Sequence, residues 1–239
     1  MDGVPGDENL PLLDHITEFR SRLIVVVLAL CVSAAMVYPF SGTIVRMIWN
    51  NLLPEGMQMT IYAPLELVIT KLMLSFVVAF AVGIPLFMYE LLAFAGTGLY
   101  PGEKRFLIKV VPTSFLLFFS GAAIAYFVIV PVIFAYIIPQ SGDLAVAGLS
   151  LRKTFSLVTT LLLGFGLTFQ LPVLVIAAIK MGLLELKKLK SLRPVVYGAF
   201  IALAMFAAPD ATGAAQLITV AMLVILFEIS LTAARFIKV

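Results

Sequence analysis

The chain has 239 residues, 62% of them hydrophobic and only 12% charged, with a mean hydropathy of +1.14. That balance excludes an ordinary soluble domain and leaves no stretch in which one could fold between the apolar runs. Cys31 and His15 are the only residues of their kinds, which excludes an internal disulfide and a Cys/His metal cluster; the net charge of +3 sits beside apolar runs, which suits lipid anchoring rather than nucleic acid.

The N-terminal "MDGVPGDENLPLLD" is acidic and has no basic region ahead of the first apolar run, so no removable signal peptide is expected. Residues 1–21 read as a cytoplasmic segment. Six membrane spans follow, at Arg22–Pro39, Leu65–Phe94, Ile108–Ile138, Phe155–Met181, Val195–Ala208 and Ala214–Phe236. With the N-terminus inside, all but Arg46, Lys71, Arg152 and Lys153 of the sixteen basic residues fall on the inner side, so both termini are placed in the cytoplasm. Between the first two spans, Ile44, Met47, Ile48 and Leu52 recur at helical spacing and predict an outer interfacial cap over about 41–64. Prolines at 39, 85, 112, 131, 172, 194 and 209 lie in or beside nearly every span and predict bent helices. The fifth span, bounded by Pro194 and Pro209, has room for roughly 21 Å of helix, less than a usual hydrocarbon core. The fold expected over 1–239 is a single all-α domain, a polytopic membrane protein with six transmembrane helices in a bent, concave bundle.

Ionisable groups within spans cost several kcal/mol by the lower estimates, so each needs a reason. Glu66 and Lys71 at the head of span two could pair with each other or face a polar cavity. Glu90 and Glu228 lie near cytoplasmic ends, within reach of water. Gln170, deep in "GFGLTFQLPV", could bond within its own bundle or to a polar helix of a partner. On the cytoplasmic face Glu18 precedes Arg22 by four residues, the favoured order for a helix ion pair. Glu103 follows Pro101-Gly102 at a helix start, where a carboxylate suits the dipole. Both acids stand on an otherwise basic face, an unusual place for carboxylates unless a cation docks there.

The segments "HITEFRSRL", "APLELVITK", "PLFMYELLAFAGTGLYPGEKRF", "GAAIAYFVIVP", "GFGLTFQLPV", "RPVVYGAFIALAMFAAPD" and "LFEISLTAAR" come in the order and spacing of the TatC family, the multi-spanning core subunit of the twin-arginine protein translocase. The resemblance covers nearly the whole chain. It implies a signal-peptide receptor and assembly core that exports folded proteins across the cytoplasmic membrane on the proton-motive force. It also implies that Glu18 and Glu103 receive the paired arginines of export signals, with Phe94, Arg20, Arg22, Lys104 and Arg105 completing the binding surface. A guanidinium pairs bidentately with a carboxylate where an ammonium cannot, so a lysine pair should bind less well. Partner contacts within the membrane fall to Gln170, Gln216, Glu66, Lys71 and Asp210. The partners implied are twin-arginine signal peptides, single-span TatA/TatB-type subunits, lipids and further copies of the chain. Gln170 stands where many members carry glutamate, and the loop after Asp210 is longer than in bacterial members. No cofactor and no covalent chemistry are expected. A small-molecule or ion transporter is the alternative that the intramembrane polar residues alone would permit. An intramembrane protease or haem protein lacks both a nucleophile–base pair and a histidine within the spans.

Overall fold

The apolar runs fold as helices because backbone amides and carbonyls in hydrocarbon have no water to bond and must satisfy one another within the segment. The structure, a computed structural model, describes residues 12–52, 59–95, 101–135, 149–182, 184–207 and 214–236. Its elements begin with α1 (Leu12–Val37), α2 (Ser41–Leu52), β1 (Met59–Thr60) and α3 (Glu66–Ala95). Then come α4 (Pro101–Ile124, continued as helix to residue 135), β2 (Leu149–Ser150), α5 (Leu151–Thr168) and α6 (Leu171–Lys180). The chain closes with α7 (Leu186–Ser191), α8 (Arg193–Ala207) and α9 (Ala214–Phe236). Among the described residues five segments are long and apolar enough to cross a membrane: Ile16–Leu52, Glu66–Phe94, Val110–Ala135, Leu151–Lys180 and Gln216–Ala234. The sixth apolar helix is α8, whose 15 residues reach only about 22 Å. The architecture expected from the sequence is therefore present, with the fifth span as short as its prolines require.

The prolines act locally in different ways. Around Pro39 a 3₁₀ turn at Tyr38–Phe40 redirects the chain from α1 into α2. Pro85 and Pro112 are carried inside α3 and α4. Pro131 cannot donate a backbone hydrogen bond, and the preceding turn, Ala125–Ile129, widens to a π turn before the helix resumes. Pro172 sits in the first turn of α6, just after a break at Phe169–Gln170. Pro194 occupies the first turn of α8, where the missing N–H has no intrahelical partner to lose.

Helix α2 is amphipathic as read from the sequence, with its buried stripe shifted by one position so that Met47 alone of the four residues read falls outside it. Ser41, Val45 and Trp49, at i, i+4 and i+8, are buried, and Ile44, Ile48 and Leu52 pack at their flanks. Met47 is 65% exposed, because it lies two residues from both Val45 and Trp49 and so points away from their face. An all-α reading also missed β1 and β2, which pair in parallel through Met59 with Leu149 and Thr60 with Ser150. Two residues per strand are too few to show a period of two.

Among the described residues three apolar clusters hold the helices. The first joins α2, α3, α4 and α5 through Trp49, Leu74, Ile129, Phe155 and Phe165. Another joins α3, α4 and α6 through Ile84, Met88, Phe118 and Val173. The last joins α6, α7, α8 and α9 through Ile179, Leu189, Phe200, Leu223 and Phe227. Helix α1 is peripheral: it turns Val26 and Ala34 inward and leaves Ile24, Leu28, Val32 and Met36 exposed. Where α4 crosses α5, a Cβ on Gly121 would lie 2.5 Å from the Phe165 carbonyl oxygen, and one on Gly166 would lie 2.5 Å from the Phe118 ring. Backbones this close need glycine.

Gly121→Ala is expected to lower stability by about 1–3 kcal/mol, since its obstacle is backbone, and Gly166→Ala by less, since a ring can shift; thermal unfolding in detergent ranks them. The short α8 is expected to thin the adjoining bilayer by a few ångströms, which is about the mismatch with a ~30 Å hydrocarbon core after tilt and snorkelling. Lipid-resolved cryo-EM showing uniform thickness beside α8 would contradict this.

Candidate functional site

The site builds from helix periodicity at the end of the bundle where α1 begins and α3 finishes. Glu18 and Arg22 lie one turn apart on α1. Arg22 donates from Nε and Nη2 to Glu18 Oε1 at 3.0 and 2.8 Å. Its Nη1 donates to Glu90 Oε2 on α3 at 2.8 Å. Glu90 in turn stands one turn before Phe94, whose ring packs against Phe19 of α1 with centroids 5.1 Å apart and planes inclined by 56°. Arg22, Glu90, Phe19 and Phe94, with Leu23, Val26, Phe87 and Leu91, line a cavity of about 50 Å³, and Glu18 stands outside it on the far side of Arg22's ion pair. The side chains of Arg22, Glu18 and Glu90 keep 29%, 27% and 15% of their surface open, so this cluster meets water. A half-wet guanidinium and carboxylate group beside aromatic rings can bind a further polar or cationic chain without the full cost of burying charge.

The structure thus brings Glu18, Arg22 and Phe94 together and adds Glu90 and Phe19, which the sequence reading did not assign to the site. Glu90 was legible as a charge near a helix end, but its partner is 68 residues away. A pointer lay in its spacing of four from Phe94. Arg20 is exposed and forms no ion pair among the described residues. Glu103, Lys104 and Arg105 fall in the first turns of α4, which begins six residues after α3 ends and so at this same end; their side chains lie outside the described residues.

At the opposite end Glu66 is 4% exposed and fully engaged. Its Oε2 accepts from the Tyr62 and Ala63 amides at 2.7 and 3.3 Å, and its Oε1 from the Ser150 hydroxyl and the Arg152 amide, both at 2.7 Å. Glu66 does not pair with Lys71. Five residues apart, they do not share a helix face, and the Lys71 side chain instead lies over Gly42 of α2. Glu66 does line a cavity of about 830 Å³ with Ser150, Arg152, Lys153 and Ser156, but Lys71 does not.

Gln170 is 2% exposed, at the break between α5 and α6. Its Nε2 donates to the Ser114 carbonyl of α4 at 3.0 Å and to the Gly166 carbonyl at 3.5 Å, while its buried Oε1 finds no donor among the described residues. Glu228 of α9 accepts from Arg193 Nη2 at 2.6 Å and from the Tyr197 hydroxyl, tying α8 to α9. Gln216 is half-buried in the first turns of α9, and Asp210 lies outside the described residues. Among the described residues no group of three or more His, Cys, Asp or Glu could hold a metal ion.

Comparison with known proteins finds the family described as "Sec-independent protein translocase protein (TatC)" over residues 14–222. A relative of that name from Methanocella arvoryzae is 42% identical over 97% of this chain and 96% of its own length. The Escherichia coli K12 protein of that name is 28% identical over 96% of this chain and 90% of its own. A crystal structure described as the twin arginine translocase receptor TatC superposes with a TM-score of 0.80 at 26% identity, covering 92% of this chain and 98% of the other.

Gln170→Leu is expected to cost about 1 kcal/mol of stability through the lost bond to Ser114, read by thermal unfolding. Gln170→Glu, protonated in that setting, can donate the same bond and should lose less.

Proposed function

We propose, because this chain belongs to the TatC family of Sec-independent protein translocase proteins, that it is the receptor for twin-arginine signal peptides and the assembly core of the translocase. The observation that carries this reading is the Glu18–Arg22–Glu90 cluster beside Phe19 and Phe94, partly open to water at one end of a membrane-spanning bundle. The solved relative is itself called a twin arginine translocase receptor. The basic residues favour a cell-membrane protein with both termini cytoplasmic. That orientation puts the cluster and the start of α4 on the side from which cargo arrives. As a family of translocase components, these proteins are not enzymes, and the driving force in this reading is the proton-motive force. Single-span TatA/TatB-type subunits would dock along the apolar helices. Gln216, in the first turns of α9, and Asp210, which precedes α9 in the sequence, are the polar residues in this reading closest in the chain to such a dock. Further copies of the chain are expected in the assembled complex.

Glu103→Ala is expected to weaken binding of a twin-arginine signal peptide by about tenfold to a hundredfold, the worth of a charge-assisted contact, and Glu103→Lys more. Glu18→Ala should weaken it less, since it also releases Arg22. Affinities in nanodiscs, with thermal unfolding as the control, test this; equal affinities across folded variants would refute the receptor reading.

A further inference from the structure

We propose that Glu90 is an additional carboxylate of the guanidinium-binding site, and that the Glu18–Arg22–Glu90 cluster takes up one guanidinium group beyond Arg22. This rests on the receptor reading above. Among the described residues two carboxylates share one guanidinium, which leaves the trio one negative charge in excess. Arg22 engages only Oε1 of Glu18 and Oε2 of Glu90. The other oxygen of each carboxylate accepts no hydrogen bond, and no second cation pairs with either acid, among the described residues. Arg20, two residues from Arg22, is turned to another side of α1.

An unbalanced negative charge beside hydrocarbon is costly, and it is relieved by a cation. The cavity walls select which kind. Phe19, Phe87 and Phe94 line the same cavity as the Glu90 carboxylate, and a planar guanidinium can stack on a ring while donating to carboxylate oxygens. An ammonium can do one or the other. The acidity of the site therefore has two sources, Glu90 at the cavity wall on α3 and Glu18 on α1 through their shared Arg22, and Glu90 contributes to the preference for arginine over lysine.

A plainer role for Glu90 would be to tie α1 to α3 through Arg22. Glu90→Gln separates the two, because an amide oxygen still accepts from Arg22 Nη1 while the charge is gone, leaving Glu18 and Arg22 neutral together. The experiment measures affinity of the full-length protein in nanodiscs for synthetic signal peptides carrying Arg-Arg, Arg-Lys, Lys-Arg or Lys-Lys. Glu90→Gln is expected to bind the Arg-Arg peptide roughly three- to tenfold more weakly, with a smaller ratio between Arg-Arg and Lys-Lys. An unchanged affinity and ratio in folded Glu90→Gln would overturn the proposal, as would an equal loss for all four peptides that leaves the ratio between Arg-Arg and Lys-Lys unchanged. If Glu103→Ala and Glu18→Ala bind as wild type, the receptor reading itself falls. If they weaken binding while Glu90→Gln does not, only the role of Glu90 falls.

Discussion

The Glu66 carboxylate is the point at which one end of the bundle closes. It collects donors from residues 62 and 63, from the Ser150 hydroxyl and from the Arg152 amide, and so binds the approach to α3 to the start of α5. The β1–β2 ladder beside it has two residue pairs, far too few to persist alone. Ser150 serves twice, donating to Glu66 and accepting from the Lys153 amide as the cap of α5. With these segments joined, Leu151 and Phe155 are set against Val45 and Trp49, and α2 folds down on the bundle. A buried charge persists only where its lone pairs are met, so this arrangement has essentially one solution.

The other end follows a different logic. Its charges are shared between helices but remain partly wet, and their partners do not exhaust them. Arg22 joins α1 to α3. Arg193 and Tyr197 join α8 to α9 through Glu228, with Arg193 Nε buried and lacking a partner among the described residues. The short α8 could not be fixed by length or apolar area alone, and this clamp, with Leu189 of α7 packed against Phe200 and Phe227, fixes its register at the end where it emerges.

What could be read from the sequence was what depends on near neighbours. Composition gave the membrane, proline spacing gave the short fifth span, and the four-residue step from Glu18 to Arg22 gave their ion pair. Each is a property of one helix or one turn. What escaped was decided across helices. Glu90 reads alone as a charge near water, and only the packing of α1 on α3 makes it the second acceptor of Arg22. Glu66 was assigned a choice between Lys71 and a cavity, while its real donors are mostly backbone amides, which no side-chain pattern reveals. Met47 was placed with Ile44, Ile48 and Leu52, which do pack against the bundle, because position 47 fits their helical face as well; the polar Ser41 concealed that the stripe is centred on Val45 and Trp49. Gly121 and Gly166 looked like any glycines in a membrane helix, and the closeness of α4 to α5 alone gives them meaning. Gln170 was legible as a polar residue that needed partners, and the structure supplies one for its amide but none for its oxygen.

The difference between the two ends bears on where a receptor surface can exist. An ion pair that keeps a quarter of its surface in water is worth only about 0–1 kcal/mol, so rearranging it around a new guanidinium costs little. The donors around Glu66 offer no such freedom, since moving any one of them leaves a charge or an amide unmet away from water. A surface that must take up and release a charged peptide needs contacts of the first kind, held in place by contacts of the second. The chain has both, at opposite ends of α3, and α3 spans the distance with a single unbroken helix of 30 residues. Glu66 anchors its first turn and Glu90 and Phe94 present its last, so the adaptable end inherits its position from the rigid one.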